Sequence, residues 1–145
     1  MEVQIGPFDP ALDIQARDYY AGVQREAQLL ALQPDAPPRR YDELIGRLRA
    51  GFPATAVTEV IDRAYLAGEA TFTATIVLPD ELVDAALHAC DELEGLLGEL
   101  DRWAADPEVQ LLPAPAEVRA YVIAFLAQAR AQLQAFQANT ATPPD

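Results

Sequence analysis

LPDELVDAALHACDELEGLLGELDRWAA, residues 78–105, is the stretch whose reading decides the fold. Val83, Ala86, Cys90, Leu93, Leu97, Leu100 and Ala104 follow one another at alternating steps of three and four residues, the seam of an amphipathic helix. Leu82, Ala89, Leu96 and Trp103 recur every seven residues beside it and widen the seam into a face able to cover a core. The other side carries Asp80, Glu81, Asp84, Asp91, Glu92, Glu94, Glu99 and Asp101, with no Arg or Lys before Arg102. The spacing predicts one long helix from Pro79 to Ala105, apolar on one face and strongly acidic on the other.

Composition narrows the function classes. Ten Arg against 23 acids leave a net charge of −13, and residues 51–145 hold fifteen of those acids with only four Arg. Such a surface repels phosphate backbones, so no nucleic-acid partner is expected. The chain has no Lys, which excludes Schiff-base and P-loop chemistry, and no Ser, which excludes a serine nucleophile. One Cys permits no intrachain disulfide. MEVQIGPFDP has neither a basic nor an apolar leader region, and no apolar run approaches a membrane span. The expectation is a soluble, cytoplasmic protein with no membrane partner.

The rest of the chain fits around the long helix. Met1 to Ile5 reads as a short strand that Gly6-Pro7 breaks. Asp9 and Pro10 then start a helix expected to run to about Leu32, with Leu12, Ala16, Tyr19, Val23, Ala27 and Leu30 inward and Tyr20 at the border. Two short helices follow, Arg39 to Ala50 and Pro53 to Ala67. Their apolar stripes are Tyr41, Leu44, Ile45, Leu48 and Val57, Val60, Ile61, Ala64, Tyr65. Thr71, Thr73 and Thr75 alternate with Phe72, Ala74, Ile76 and Leu78, a strand pattern that needs a partner. After a Pro-bounded loop pinned by Leu111 and Leu112, a last helix is expected from Ala116 to about Ala138, with NTATPPD, residues 139–145, as a disordered tail. The predicted fold class is mainly α. It is an antiparallel bundle of three long and two short helices in a single domain, residues 1–138, with at most a two-stranded ribbon of residues 2–5 and 71–78.

No catalytic residue, cofactor-binding residue or metal ligand is assigned, and no cofactor is expected. His88 and Cys90 lie two positions apart on a helix, about 200° around it, so they cannot share an ion or form a nucleophile–base pair. Cys90 reads as a small apolar seam residue. Asp84, His88 and Glu92 form an i, i+4 ladder that reads as a surface ion pair. Arg39, Arg40, Arg47 and Arg49, the one basic cluster, read as an internal counter-charge to the acidic half. Two surfaces remain as candidates. A partner-binding face would use Asp80, Asp84, Asp91, Glu94 and Asp101 of the acidic helix together with Thr71, Thr73 and Thr75 of the strand. A pocket between helices would be lined by Tyr19, Tyr20, Tyr65 and Tyr121.

Several short pieces occur in a familiar order. Ile5-Gly6-Pro7-Phe8-Asp9-Pro10-Ala11-Leu12-Asp13 leads into Val23-Gln24-Arg25-Glu26-Ala27-Gln28-Leu29-Leu30. A β-like run ending in Leu78-Pro79 follows, then Leu93, Leu97 and Leu100-Asp101, then Leu111-Leu112, and Pro115-Ala116-Glu117-Val118 before a final aromatic helix. Over about residues 3–136 the chain resembles small, uncharacterised bacterial proteins or domains found with anti-sigma-factor kinases, STAS-domain antagonists and PP2C-type phosphatases in partner-switching systems. The resemblance implies a non-enzymatic regulatory or adaptor role exercised through protein–protein contact, with an anti-sigma or STAS component as partner. It supplies no catalytic residues. A small-molecule sensor or enzyme using the aromatic pocket is the alternative, and a homodimer packing surplus seam residues across a two-fold is a third arrangement.

Overall fold

A computed structural model of the protein describes residues 1–52 and 54–142. Its elements run β1 (Glu2–Phe8), α1 (Pro10–Leu29), α2 (Pro37–Gly51), α3 (Thr55–Leu66), β2 (Phe72–Val77), α4 (Val83–Ala104) and α5 (Ala116–Ala141), with a single 3-10 turn, Asp80–Leu82, before α4. The fold is mainly α, three long helices and two short ones with one two-stranded antiparallel ribbon, as the periodicity predicts. The start of α3 at Pro53 and the end of the tail, residues 143–145, lie outside the described residues.

Four helices close a ring. α1 packs against α2 and α5, and α4 packs against the same two. The ribbon and α3 close the ring's side, β1 lying against α5 and β2 against α3. Alternation drives this. Val3 and Ile5 of β1 and Phe72 and Ala74 of β2 are buried, while Glu2, Gln4, Thr73 and Thr75 face out. Val3 pairs with Ile76 and Ile5 with Ala74, so one face of the ribbon joins the core. The outer edge of β1 is not left bare. Gln132 accepts from the Gln4 amide at 2.8 Å and donates to its carbonyl at 2.7 Å, and Gln128 accepts from the Gly6 amide at 2.8 Å. Two α5 glutamines thereby supply the partners a third strand would give.

β1 runs three residues further than the expected stop at Ile5. Between the Ile5–Ala74 and Phe8–Phe72 pairs the first strand holds one extra residue, a bulge occupied by Gly6-Pro7, whose peptide is cis. Gly6 sits at φ 105°, and a Cβ there would lie 2.5 Å from the Phe72 carbonyl oxygen, so glycine is required where the two backbones meet. Proline has no amide to lose to the ladder at a bulge, which is why it does not end the strand.

α1 and α5 start at Pro10 and Ala116 as expected, whereas α2 starts at Pro37, two residues before Arg39, and α4 starts at Val83 behind the 3-10 turn and not at Pro79. The Asp9 carboxylate accepts from the Ala11 amide at 2.9 Å with Pro10 in the first turn of α1. α1 stops at Leu29, short of Leu32, where the backbone turns at Leu30, and Arg39 of α2 donates to the Leu30 carbonyl at 3.1 Å. α5 continues through Asn139 and Thr140 to Ala141, so the first part of the expected tail is helical. Within α1 the border residue and the core residue exchange places: Tyr20 is buried and Tyr19 half-buried. Tyr65 leaves the α3 stripe for solvent at 47% exposure, and the Leu112 side chain is 79% exposed, so of the two leucines Leu111 packs the α4–α5 loop against the core.

Candidate functional site

The acidic face of α4 is largely engaged within the molecule. Arg40 and Arg47 of α2 pair with Glu99 at 2.8 Å and Glu92 at 2.6 Å. From α5, Arg119 pairs with Asp101 at 2.7 Å, and Arg130 spans Asp91 at 3.0 Å and Glu94 at 2.5 Å. Asp84 accepts from Gln137 at 2.7 Å, and Asp80 meets the Met1 amino group at 2.7 Å. All five acids named for a partner face are thus in contact with a donor of this chain. The expected Asp84–His88–Glu92 ladder is not made, since its two acids turn to Gln137 and Arg47 instead. Among the described residues no three His, Cys, Asp or Glu side chains converge on a metal-sized site. Thr71, Thr73 and Thr75 are exposed, and Thr75 donates to the Gln4 side chain at 2.8 Å.

The four tyrosines named for a pocket do not come together. The Tyr19 hydroxyl donates to the Leu112 carbonyl at 2.9 Å, and Tyr65 is on the outer side of α3. Tyr121 packs edge-on against Phe8 with centroids 5.3 Å apart and donates to Asp13 at 2.5 Å. Asp13 also accepts from Arg17 at 2.7 Å, and Arg17 reaches Asp62 of α3 at 2.5 Å, so this set ties α5, α1 and α3 together. Burial first, and then the bond to Asp13, push the Tyr121 hydroxyl well above its ordinary pKa. Tyr20, unlike the other three, lines the apolar cavity between the helices, stacked on Tyr41 with centroids 5.2 Å apart and planes 26° apart. Burial raises both hydroxyls, Tyr20 to about 12 and Tyr41 further.

That cavity is the more apolar and more fully walled of two hollows of similar volume. It is open at one side, has a volume of about 620 Å³, and lies inside the ring of helices. α4 contributes Ala86, Ala89, Cys90 and Leu93, and α5 contributes Phe125, Leu126, Ala129 and Leu133. Tyr20, Ala21, Gln24 and Arg17 of α1 face Tyr41, Ile45, Leu48 and Arg49 of α2. Val3, Ile76 and Leu78 of the ribbon region form the back, and Phe52 and Ala54 come from the α2–α3 connection. Among the described residues the walls are apolar, with two Arg and no acid. Small-molecule sites commonly occupy about 300–1,000 Å³ and have this character, apolar walls with a few polar groups.

The void has a local cause in sequence. Ala86, Ala89 and Cys90 put three small side chains in little more than one turn of α4, opposite Ala129 of α5 and Ala21 of α1. Ala86 and Leu93, two seam positions, are only half-buried because they front this space rather than a facing side chain. Cys90 lies in the wall with its thiol pKa raised, chiefly by burial, which keeps it neutral and poorly nucleophilic. A second hollow of about 630 Å³, bounded by Arg49, Ala50, Gly51, Phe52, Ala54, Thr55 and Thr58, shares Arg49, Phe52 and Ala54 with the first.

Comparison with protein-family models, curated proteins and solved structures found no match to this chain. Among the described residues, no helix is long and apolar enough to cross a membrane.

Proposed function

We propose that the protein binds a small, largely apolar molecule inside its ring of helices and acts as a sensor or carrier rather than a catalyst. The observation that carries this reading is the 620 Å³ cavity walled by four helices and the ribbon. A void this large forfeits packing that a ring of this size would otherwise make, a cost that an occupant offsets. An occupant touching α1, α2, α4 and α5 together would bind the folded state alone and raise its stability by mass action. The wall offers no nucleophile–base pair: its one thiol is neutral, and His88 is not part of it. The reading is tested with a neutral apolar dye, Nile red, titrated into folded protein and followed by fluorescence and thermal melting. One saturable site and a raised melting temperature are expected. Failure of the dye and of a panel of apolar compounds to bind or shift the melt would remove this function.

Protein contact is the second reading, favoured by the ribbon's outer face, where Val77 is 64% exposed beside Thr73 and Thr75. It keeps the regulatory role that the partner-switching resemblance implies, with the threonine strand rather than the compensated acids as the contact. Alanine substitutions at Thr73 and Thr75 that leave capture of an anti-sigma or STAS component unchanged would count against it.

A further inference from the structure

Two charged side chains line the cavity: Arg17 of α1, which is paired with Asp13 and Asp62, and Arg49 of α2. Arg40 and Arg47 each meet an acid of α4, and Arg39 meets a carbonyl. Arg49 lines the cavity, is exposed, and has no carboxylate partner among the described residues. The Tyr41 ring beside it is only 7% exposed, and its hydroxyl has no hydrogen-bond partner among the described residues. Both residues belong to α2 and line the same cavity. A hydroxyl and a guanidinium that both line an apolar cavity, neither with an acceptor among the described residues, are donors open to a ligand in that space.

We propose that the cavity takes a single-chain amphiphile with an anionic head, its apolar body against Cys90, Leu93 and Leu126 and its head group held by Arg49 and the Tyr41 hydroxyl. This rests on the cavity being a ligand site. A cationic head would meet no acid in the lining, despite the net charge of −13 outside. A neutral head would leave Arg49 unpaired. An anion gains a charge-assisted bond from each donor, and the second hollow, which shares Arg49, gives the head room.

The test compares decanoate with decanol, both below their micelle thresholds, on wild-type protein and on Arg49→Gln, by calorimetry or displacement of Nile red. Arg49 makes no ion pair among the described residues, so the variant keeps its fold, which circular dichroism checks. Decanoate affinity is expected to fall about tenfold in Arg49→Gln, the scale of one partly exposed charge-assisted bond, with decanol unchanged. Equal binding of both probes by wild type, unaltered in Arg49→Gln, overturns the anionic-head proposal and leaves the cavity as a binding site. Failure of both probes and of the dye to bind wild type overturns the cavity reading and this proposal with it.

Discussion

Filling the cavity from its own wall has a sign that depends on whether the space is there. Ala129 of α5 is buried and lines it. Replacing it with leucine adds three carbons, and at about 0.8 kcal/mol per buried methylene they contribute roughly 2.4 kcal/mol. Ordering the new side chain costs about 0.5–1 kcal/mol. The net is a stabilisation of about 1.5 kcal/mol, which in a chain of this size raises the melting temperature by roughly 3–6 °C. Helix propensity is nearly neutral in the exchange, so the effect reports on space. In a close-packed core the same substitution would force off-rotamer side chains and cost about 1–3 kcal/mol. Calorimetric melting of Ala129→Leu distinguishes the two by sign. The variant should also lose affinity for Nile red, since the leucine occupies the volume the dye needs. A melting temperature lowered by several degrees, with dye binding intact, would refute both the cavity and the function drawn from it.

Two further outcomes follow from groups elsewhere in the fold. Tyr20, Tyr41 and Tyr121 have pKa values raised above the ordinary 10.0, first by burial, so the native state holds these protons more tightly than the unfolded chain. Their contribution is complete below pH 10 and is lost as pH rises, at about 1.4 kcal/mol per pH unit for each tyrosine, through a window extending past the Tyr20 value of about 12. Tyrosinate absorbance and ellipticity should therefore change together in a cooperative alkaline transition; titration of all the tyrosines near pH 10 with the fold intact would contradict their burial. The glycines at positions 6 and 95 should respond oppositely to alanine. Gly6→Ala drives a Cβ into the Phe72 carbonyl at positive φ and should cost more than about 2 kcal/mol, whereas Gly95→Ala meets nothing within 4 Å inside α4 and should gain about 0.5–1 kcal/mol. Urea midpoints measure both, and an unshifted midpoint for Gly6→Ala would mean that the strands pair in another register.

The elements were legible where one face had to be apolar and the next had to be wet. The α4 seam and the Thr71–Val77 alternation are such patterns, and both formed where expected. Gly6-Pro7 misleads because its meaning is set by the opposite strand: with Phe72 across from it, the pair makes a bulge instead of a stop. Tyr19 and Tyr20 are a close choice of angle on one helix, and the decision fell to Tyr41, whose ring stacks on Tyr20. The site was less legible than the fold. An acid-rich helix face looks available until Arg40, Arg47, Arg119 and Arg130, from two other helices, are placed on it. The cavity had a signal, the small residues Ala86, Ala89 and Cys90 together on a covering face, but only the ring of four helices sets Ala129 and Ala21 opposite them.

The two faces of α4 therefore divide their roles differently from what charge alone suggests. Ion pairs as exposed as those of Glu92 and Glu99 contribute about 0–1 kcal/mol each, too little to be the reason the ring holds. Their geometry matters more: each ties α4 to α2 or α5 at a set height along the helix. Stability comes from the packed part of the ring, where Leu97, Leu100 and Val118 are fully buried. In the N-terminal half of α4, Ala86, Ala89 and Cys90 front the cavity while Val83 stays in the core, and the outer ion pairs of Asp91, Glu92 and Glu94 join α4 to its neighbours beside that space. On the proposed function, the part of α4 that meets a ligand is its apolar front at Ala86, Ala89, Cys90 and Leu93, while its acidic back serves contacts within the ring.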